Sequence, residues 1–504
     1  MRLPTTLLAL ALLLGLLAAP RAMAIDDAHW QIANDSIDAG IEYLLETQNE
    51  DGSWLPEPGP AVTGLALTAL LDHPEIDADH PAAAKAIEYI LAHVQDDGSI
   101  RNGPDGILAN YNTALCLSAL SRVYNNPDVA AAIAAGQDYL RGTQWIVGMT
   151  DPNGDVIDEN HPYVGGFGYG KHGRPDLSNT QIALQAMHDT GCDCDDPAFQ
   201  RALVFLQRTQ AIESNDLYAD QINLEEGNHG GFIYAPSLNS DNINTPESKA
   251  DPDQMDEALE GAEVSNLRTY GGMTYSGFKT LLYANLERDD PRVQAVLGWI
   301  AHNYELDHNP GMPDAVKLQG LYYYYLSMAR ALDAWGSSSV SVGAITLDGT
   351  FGTGDLHGEV NIPGGLPEGI NRDRVVVQEL VAFGISGVSV WTPLTSETLE
   401  RLFGLTHDDV PDQVPAPMIL LEIENNRTIT GRILNEQGDD VLEDLYVRFT
   451  DTRETRDWGN DLIAKLASLQ AEDGSWTNTE SRWMEDSPIL CTAYAVQALQ
   501  AATD

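Results

Sequence analysis

The sequence predicts an all-α fold, an α/α toroid of about six helical hairpins, carrying a small β-rich inserted domain. Three observations predict it. A short segment recurs along the chain, every copy lies between two helical patterns of unequal polarity, and the pattern breaks once, between the fifth and sixth hairpins.

The recurring segment is clearest near the two ends of the chain. Thr47-Gln48-Asn49-Glu50-Asp51-Gly52-Ser53-Trp54 returns as Leu469-Gln470-Ala471-Glu472-Asp473-Gly474-Ser475-Trp476. A weaker copy is Val94-Gln95-Asp96-Asp97-Gly98-Ser99-Ile100. Two degenerate copies set Gln144-Trp145 before Gly165-Gly166-Phe167-Gly168-Tyr169, and Thr209-Gln210 before Gly230-Gly231-Phe232-Ile233-Tyr234. Such self-similarity marks stacked supersecondary units. Ahead of each copy runs an amphipathic helix, as in Ile37, Ile41, Leu44, Leu45 and Gln48; after it comes a more apolar one, as in Val62 to Leu71 or Asn112 to Leu120. Asp-Gly between them suits a helix-ending turn, the Gln can bond freed backbone groups, and the Trp can cover the joint.

Taken in order, residues 1–24 read as a secretory signal: Arg2, an apolar run from Leu7 to Ala19, and the cleavage string Ala22-Met23-Ala24. The expectation is therefore an exported protein, secreted or periplasmic, with no membrane span. Hairpins one to five occupy 25–336, approximately as 27–72, 81–124, 128–190, 197–286 and 291–335; the closing hairpin lies in 456–504. In each pair the first helix is the more polar and the second nearly all apolar or small, which predicts an outer ring around an inner one. An open solenoid is the alternative. Closure is favoured because the first and last copies match best and no polar capping repeat is present. Residues 337–455 open with Ser337-Ser338-Ser339 and then show β-type runs at Ser341 to Leu347, Arg374 to Val377, Gly387 to Trp391, Met418 to Ile423, Thr428 to Leu434 and Tyr446 to Phe449, with a short helix at Ser396 to Phe403. This is the inserted β or α+β domain.

The 504 residues include 76 acidic and 27 basic ones, for a formal charge of −49. Such a field repels nucleic acid and anionic lipid. Cys116 and Cys491 fall inside apolar helical patterns and read as buried thiols, whereas Cys192 and Cys194 lie in an Asp-rich loop, where a bridge between them would close a strained ring.

The Q-x-x-D-G-S-W segment resembles the QW repeat of the squalene/oxidosqualene cyclase and prenyltransferase superfamily, and the chain looks most like its short exported single-barrel members. That resemblance covers about three quarters of the chain and implies an α/α toroid with a central cavity at one mouth. In squalene–hopene cyclases an inner helix opens with D-x-D-D-T-A, whose middle Asp protonates an alkene. The third inner helix here opens Asp176-Leu177-Ser178-Asn179-Thr180-Gln181, with Ser178 and Asn179 in place of the two central acids. Neither a hydroxyl nor an amide is a strong enough acid for that step. Asp193-Cys194-Asp195-Asp196 matches D-x-D-D by letter but precedes Pro197, and reads as a helix-start acidic cluster. The Asp, Cys and His set that holds zinc in protein prenyltransferases cannot be assembled, nor can the G-C-G-E-Q thioester segment, so no metal and no cofactor are expected.

Candidate site residues cluster where inner helices begin. Asp176 is the catalytic candidate, and it also suits a helix cap. Tyr111, Asn112, Asn179, Gln181, Tyr270, Tyr275, Tyr322 and Tyr323 are ligand-binding candidates, since aromatics around a cavity fit an apolar or cationic ligand. His229 is a further ligand-binding candidate, and both it and His308 are loop histidines of the residue type that serves as a general base. The leading expectation is an exported toroid that binds or processes an apolar isoprenoid-type ligand without the usual cyclase acid; whether it is an enzyme stays open. Two alternatives are a non-enzymatic scaffold using 337–455 to contact a protein partner, and a carbohydrate-active enzyme with a carboxylate pair.

Overall fold

The structure, a computed structural model, describes residues 25–152, 154–219, 221–224, 227–239, 242–251, 267–343, 345–351, 354–359, 389–393, 418–424, 428–434 and 445–504; for the strands between 345 and 451 only the backbone is considered. The signal read over 1–24, the strand at Arg374 to Val377 and the helix at Ser396 to Phe403 lie outside the described residues. Among the described residues no helix is long and apolar enough to cross a membrane.

Among the described residues, twelve α-helices pair into six hairpins: α1 (Asp27–Thr47) with α2 (Ala61–Leu71), α3 (Pro81–Ala92) with α4 (Ala109–Leu120), α5 (Pro127–Thr143) with α6 (Leu177–Asp189), α7 (Pro197–Thr209) with α8 (Gly271–Tyr283), α9 (Pro291–Asn303) with α10 (Leu321–Trp335), and α11 (Trp458–Leu469) with α12 (Pro488–Thr503). The even-numbered helices form the inner ring. Each packs on the next, α2 on α4 through to α10 on α12, and α12 packs back on α2. The ring is closed, which removes the open solenoid. Gln497 and Gln500 of α12 donate to the carbonyls of Leu65 (2.8 Å) and Ala69 (2.9 Å) across the seam.

Polarity explains the two layers. Helix α2 buries every residue from Val62 to Leu70, whereas α1 buries one stripe, Ala33, Ile37, Ile41 and Leu44 among them. The outer helices carry start signals: Asp26, Asn126, Asp196, Asp290 and Asp457 cap α1, α5, α7, α9 and α11, with Pro next at α5, α7 and α9. Asp196 is thus a cap, as its place before Pro197 predicts.

The repeat segment is the joint between neighbouring hairpins. Gln48 donates to Gly52 O (3.0 Å) in its own turn and to Ala82 O (2.9 Å) in the next outer helix, α3. Gln470 does the same with Gly474 O and with Ser36 O of α1, so the last copy closes the outer layer. Trp54 and Trp476 are fully buried and donate to Leu44 O and Leu466 O, both at 2.8 Å. Their backbone N–H groups donate to the hydroxyls of Thr63 and Thr492 on the following inner helices, and Thr113, Thr180 and Thr274 accept in the same way from Ile100, Phe167 and Phe232. The turn glycine is required twice over. Gly52 has φ +89°, and a Cβ there would collide with the Lys85 carbonyl of α3.

The chain divides into two compact units, the ring up to Val340 with Asp457–Asp504, and the segment Ser341–Arg456. Short strands β1 (Ser339–Val342) and β8 (Glu454–Asp457) pair where the chain leaves and rejoins the ring. Between them, β2 (Ile345–Phe351), β3 (Gly354–Glu359), β4 (Ser389–Pro393), β5 (Met418–Glu424), β6 (Thr428–Leu434) and β7 (Leu445–Asp451) form one antiparallel sheet in the order β3-β2-β7-β6-β5-β4. β3 was not expected; Gly354 and Gly358 make it a weak β-former by propensity, and its pairing to β2 supplies what propensity lacks.

Candidate functional site

The six inner helices start at the same mouth of the ring, and a cavity of about 240 Å³ lies among their first turns. Val62 and Leu65 of α2, Leu115 of α4, Met273 of α8 and Leu490 of α12 supply aliphatic wall. The other end of the inner ring is packed with polar side chains. Lys279 of α8 bonds Gln185 of α6, and Arg330 of α10 bonds Gln497 of α12. Burial pushes the Lys279 amine well below its usual range. None of these four polar side chains lines the cavity.

Tyrosines form most of the remaining wall. Tyr169 and Tyr234 approach hydroxyl to hydroxyl at 3.2 Å, and Tyr111 hydrogen-bonds Tyr494. Tyr323 accepts from Gln181 Nε2 (2.9 Å), meets Ser276 Oγ at 3.2 Å, and sets its ring edge-on to Tyr494 with centroids 6.2 Å apart. Burial pushes the Tyr323 hydroxyl up to about 12, and raises Tyr111, Tyr234 and Tyr270 well above the ordinary tyrosine range. These hydroxyls stay neutral at any physiological pH, so the belt acts as apolar surface with fixed hydrogen bonds.

The sequence candidates divide between the cavity and its supports. Tyr111, Asn112, Tyr270 and Tyr323 line the cavity. Asn112 also uses its amide structurally, accepting from Ala61 N (2.9 Å) and donating to Ile107 O (3.1 Å). Asp176 is not among the lining residues. It is fully buried as the N-cap of α6, and Asn179 occupies both its oxygens, by N–H at 2.8 Å and by Nδ2 at 2.9 Å. Burial raises its pKa. Asn179 and Gln181 stand behind the wall, holding Asp176 and Tyr323. Tyr275 packs in the core against Trp299 and Tyr324, and Tyr322 sits edge-on to Tyr325 with its hydroxyl toward Thr477 O. Helical rotation explains both, since adjacent residues point about 100° apart and only Tyr323 of its run faces inward. His229 meets Glu213 at 3.1 Å in an outer loop, away from the cavity, and His308 lies 4.0 Å from Glu305. All four cysteines are free, and Cys192 accepts from Arg141.

Sequence reasoning missed the loop before α12. Trp483, Met484 and Glu485 all line the cavity. Trp483 and Met484 remain 44% and 39% exposed and carry φ values of +57° and +66°, a conformation that is strained for such side chains. Glu485 is 1% exposed. Its oxygens accept from Tyr323 N (2.9 Å) and from Asn478 Nδ2 (2.7 Å), so it caps α10 from another hairpin. Burial pushes its pKa up to about 7 against those hydrogen bonds. The available signal was an acid placed directly after two large apolar residues in a loop that the ring turns toward its mouth.

No family model and no curated protein matches the chain. Among solved structures it is similar to the type II terpene cyclase MstE from Scytonema, at 16% identity over 60% of this chain and 73% of that chain, with a TM-score of 0.32. Variants of that enzyme are similar too: one in complex with geranylgeranyl dihydroxybenzoate (substrate), at 14% identity over 54% and 78% of the two chains and TM-score 0.25, and one with merosterolic acid A (product), at 15% over 54% and 79% and TM-score 0.24. The closed double ring itself, not these distant likenesses, establishes the fold.

Proposed function

We propose that this is an exported protein whose ring binds an apolar, isoprenoid-type ligand in the cavity at the starts of the inner helices. The observation that carries this reading is the wall itself: aliphatic side chains and neutral tyrosines enclosing about 240 Å³, with no Lys, Arg or His among the described lining residues. Burying a hydrocarbon there gains about 25 cal/mol per Å² of apolar surface removed from water. The wall does not favour alkene protonation from α6. Ser178, at the position of the cyclase acid, reaches the cavity, whereas Asp176 is fully engaged as a cap. The string over residues 1–24 supports export.

The reading is tested by purifying the protein from its native export route and analysing an organic extract by mass spectrometry. A stoichiometric isoprenoid-type lipid is expected, lost from the Tyr323→Ala variant. A clean extract, together with no uptake of added isoprenoids, overturns it.

A further inference from the structure

The polar groups of the cavity wall are held by the protein almost throughout. Tyr169 and Tyr234 meet hydroxyl to hydroxyl at 3.2 Å, Tyr111 hydrogen-bonds Tyr494, and Tyr323 lies between Gln181 Nε2 and Ser276 Oγ. Asn112 ties α2 to α4, Asn309 accepts from Gly272 N and donates to Gln319 O, and both oxygens of Glu485 accept from N–H donors. Tyr270 is different. It is 3% exposed and lines the cavity, yet its hydroxyl has no hydrogen-bond partner among the described residues. A buried phenol O–H ordinarily finds an acceptor, because a bare one forfeits the hydrogen bond it made in water. The Tyr275 hydroxyl, on the same helix, is also without a partner, but it is sealed in the core beside Trp299 and Tyr324. The Tyr270 hydroxyl is the one that a molecule in the cavity can meet.

The ring gives that meeting a direction. Helices α2 and α8 stand three places apart either way round the inner ring, so they face each other across the cavity. Val62 and Leu65 of α2, with Leu115 of α4 and Leu490 of α12 on its two flanks, supply aliphatic wall on one side. Tyr270 stands on the other side, at the start of α8.

Resting on the apolar-ligand reading above, we infer that the ligand is an apolar body bearing a neutral acceptor oxygen, a hydroxyl, ether or carbonyl, that its hydrocarbon part lies toward α12, α2 and α4, and that its oxygen receives the O–H of Tyr270. Tyr270 is then the residue that selects among apolar ligands. A plain hydrocarbon leaves the hydroxyl bare, and a site with an unmet polar group discriminates against the ligand that fails to meet it. An anionic head, such as a diphosphate, finds no basic side chain in the described wall and meets the Glu485 carboxyl, whose oxygens are already taken.

Calorimetry with the purified protein tests this, using farnesol, farnesene and farnesyl diphosphate as probes. Wild type should bind farnesol about tenfold more tightly than farnesene, and the diphosphate no better than farnesene. Tyr270→Phe removes only the hydroxyl; it should bring farnesol down to the level of farnesene and leave farnesene unchanged. Tyr275→Phe deletes the sealed hydroxyl of the same helix and should keep the tenfold preference. Equal binding of farnesol and farnesene by wild type overturns the role of Tyr270 and leaves the apolar cavity standing. A Tyr270→Phe variant that keeps the preference, or weakens both probes alike, does the same. Preference for the diphosphate also overturns it. Failure of all three probes to bind wild type overturns the apolar-ligand reading and this inference together.

Discussion

Helices α6 and α10 both begin on a buried carboxyl, and they obtain it in different ways. Asp176 belongs to α6 itself and folds back on Asn179, three residues on, in the ordinary manner of an N-cap. Helix α10 begins at Gly320 with no side-chain cap of its own, and receives Glu485 from the sixth hairpin. A cap within its own helix engages both oxygens with neighbours a few residues away and leaves nothing facing the cavity. A cap supplied across the ring has its backbone fixed elsewhere, and Glu485, although 1% exposed, belongs to the cavity wall. The difference separates an acid enclosed behind the cavity wall from one that is part of it.

The largest expected effect lies at Glu485 and depends on pH. Its folded pKa of about 7 stands above the ordinary 4.5, so the protonated form is the one the fold favours. The associated stability is fully present below pH 4.5 and is lost as pH rises through about 7. Wild type should therefore lose roughly 3 kcal/mol relative to Glu485→Gln across that window, measured as the difference between two urea-unfolding series. A flat difference would erase the contrast with Asp176.

Next comes the cap itself. Asp176→Ala leaves the Asn179 N–H and amide without their partner and should cost about 2 kcal/mol in unfolding free energy. Its affinity for a cavity ligand should stay unchanged. A loss of binding in a variant that is still folded would move Asp176 from support to site.

The smallest effect sharpens the Glu485 side. Asn478 donates to its carboxylate oxygen and holds its pKa down. Asn478→Ala should raise that pKa by roughly 1 pH unit, read from the carboxyl carbon shift by NMR titration. An unchanged titration would assign the capping wholly to the α10 backbone.

Much of the ring was legible because its signals are local. Gln48 and Trp54 recur as Gln470 and Trp476, and the polarity of each helix names its layer without knowledge of its neighbours. The Asp-Gly turns marked where outer helices end, and Asp196-Pro197 marked one helix start. The candidate site was legible only in part. Tyr111, Tyr270 and Tyr323 could be placed near helix starts, yet which face of its helix each residue presents depends on rotation about the axis, and that separated Tyr323 from Tyr322 and Tyr275. In the insert, alternating β-branched runs marked β5 and β6, while β3 has too little propensity to show.

What the sequence by itself determined was therefore the repeating unit: the amphipathic outer helix, the apolar inner helix and the glycine turn between them, all set by signals local to each hairpin. Closure was decided by the three-dimensional packing of α12 on α2, which brings Gln497 to Leu65 across 432 positions of chain. The identity of the acid in the wall was decided the same way. Glu485 meets Tyr323 across 162 positions, and no local pattern encodes a partner that only ring closure brings into contact.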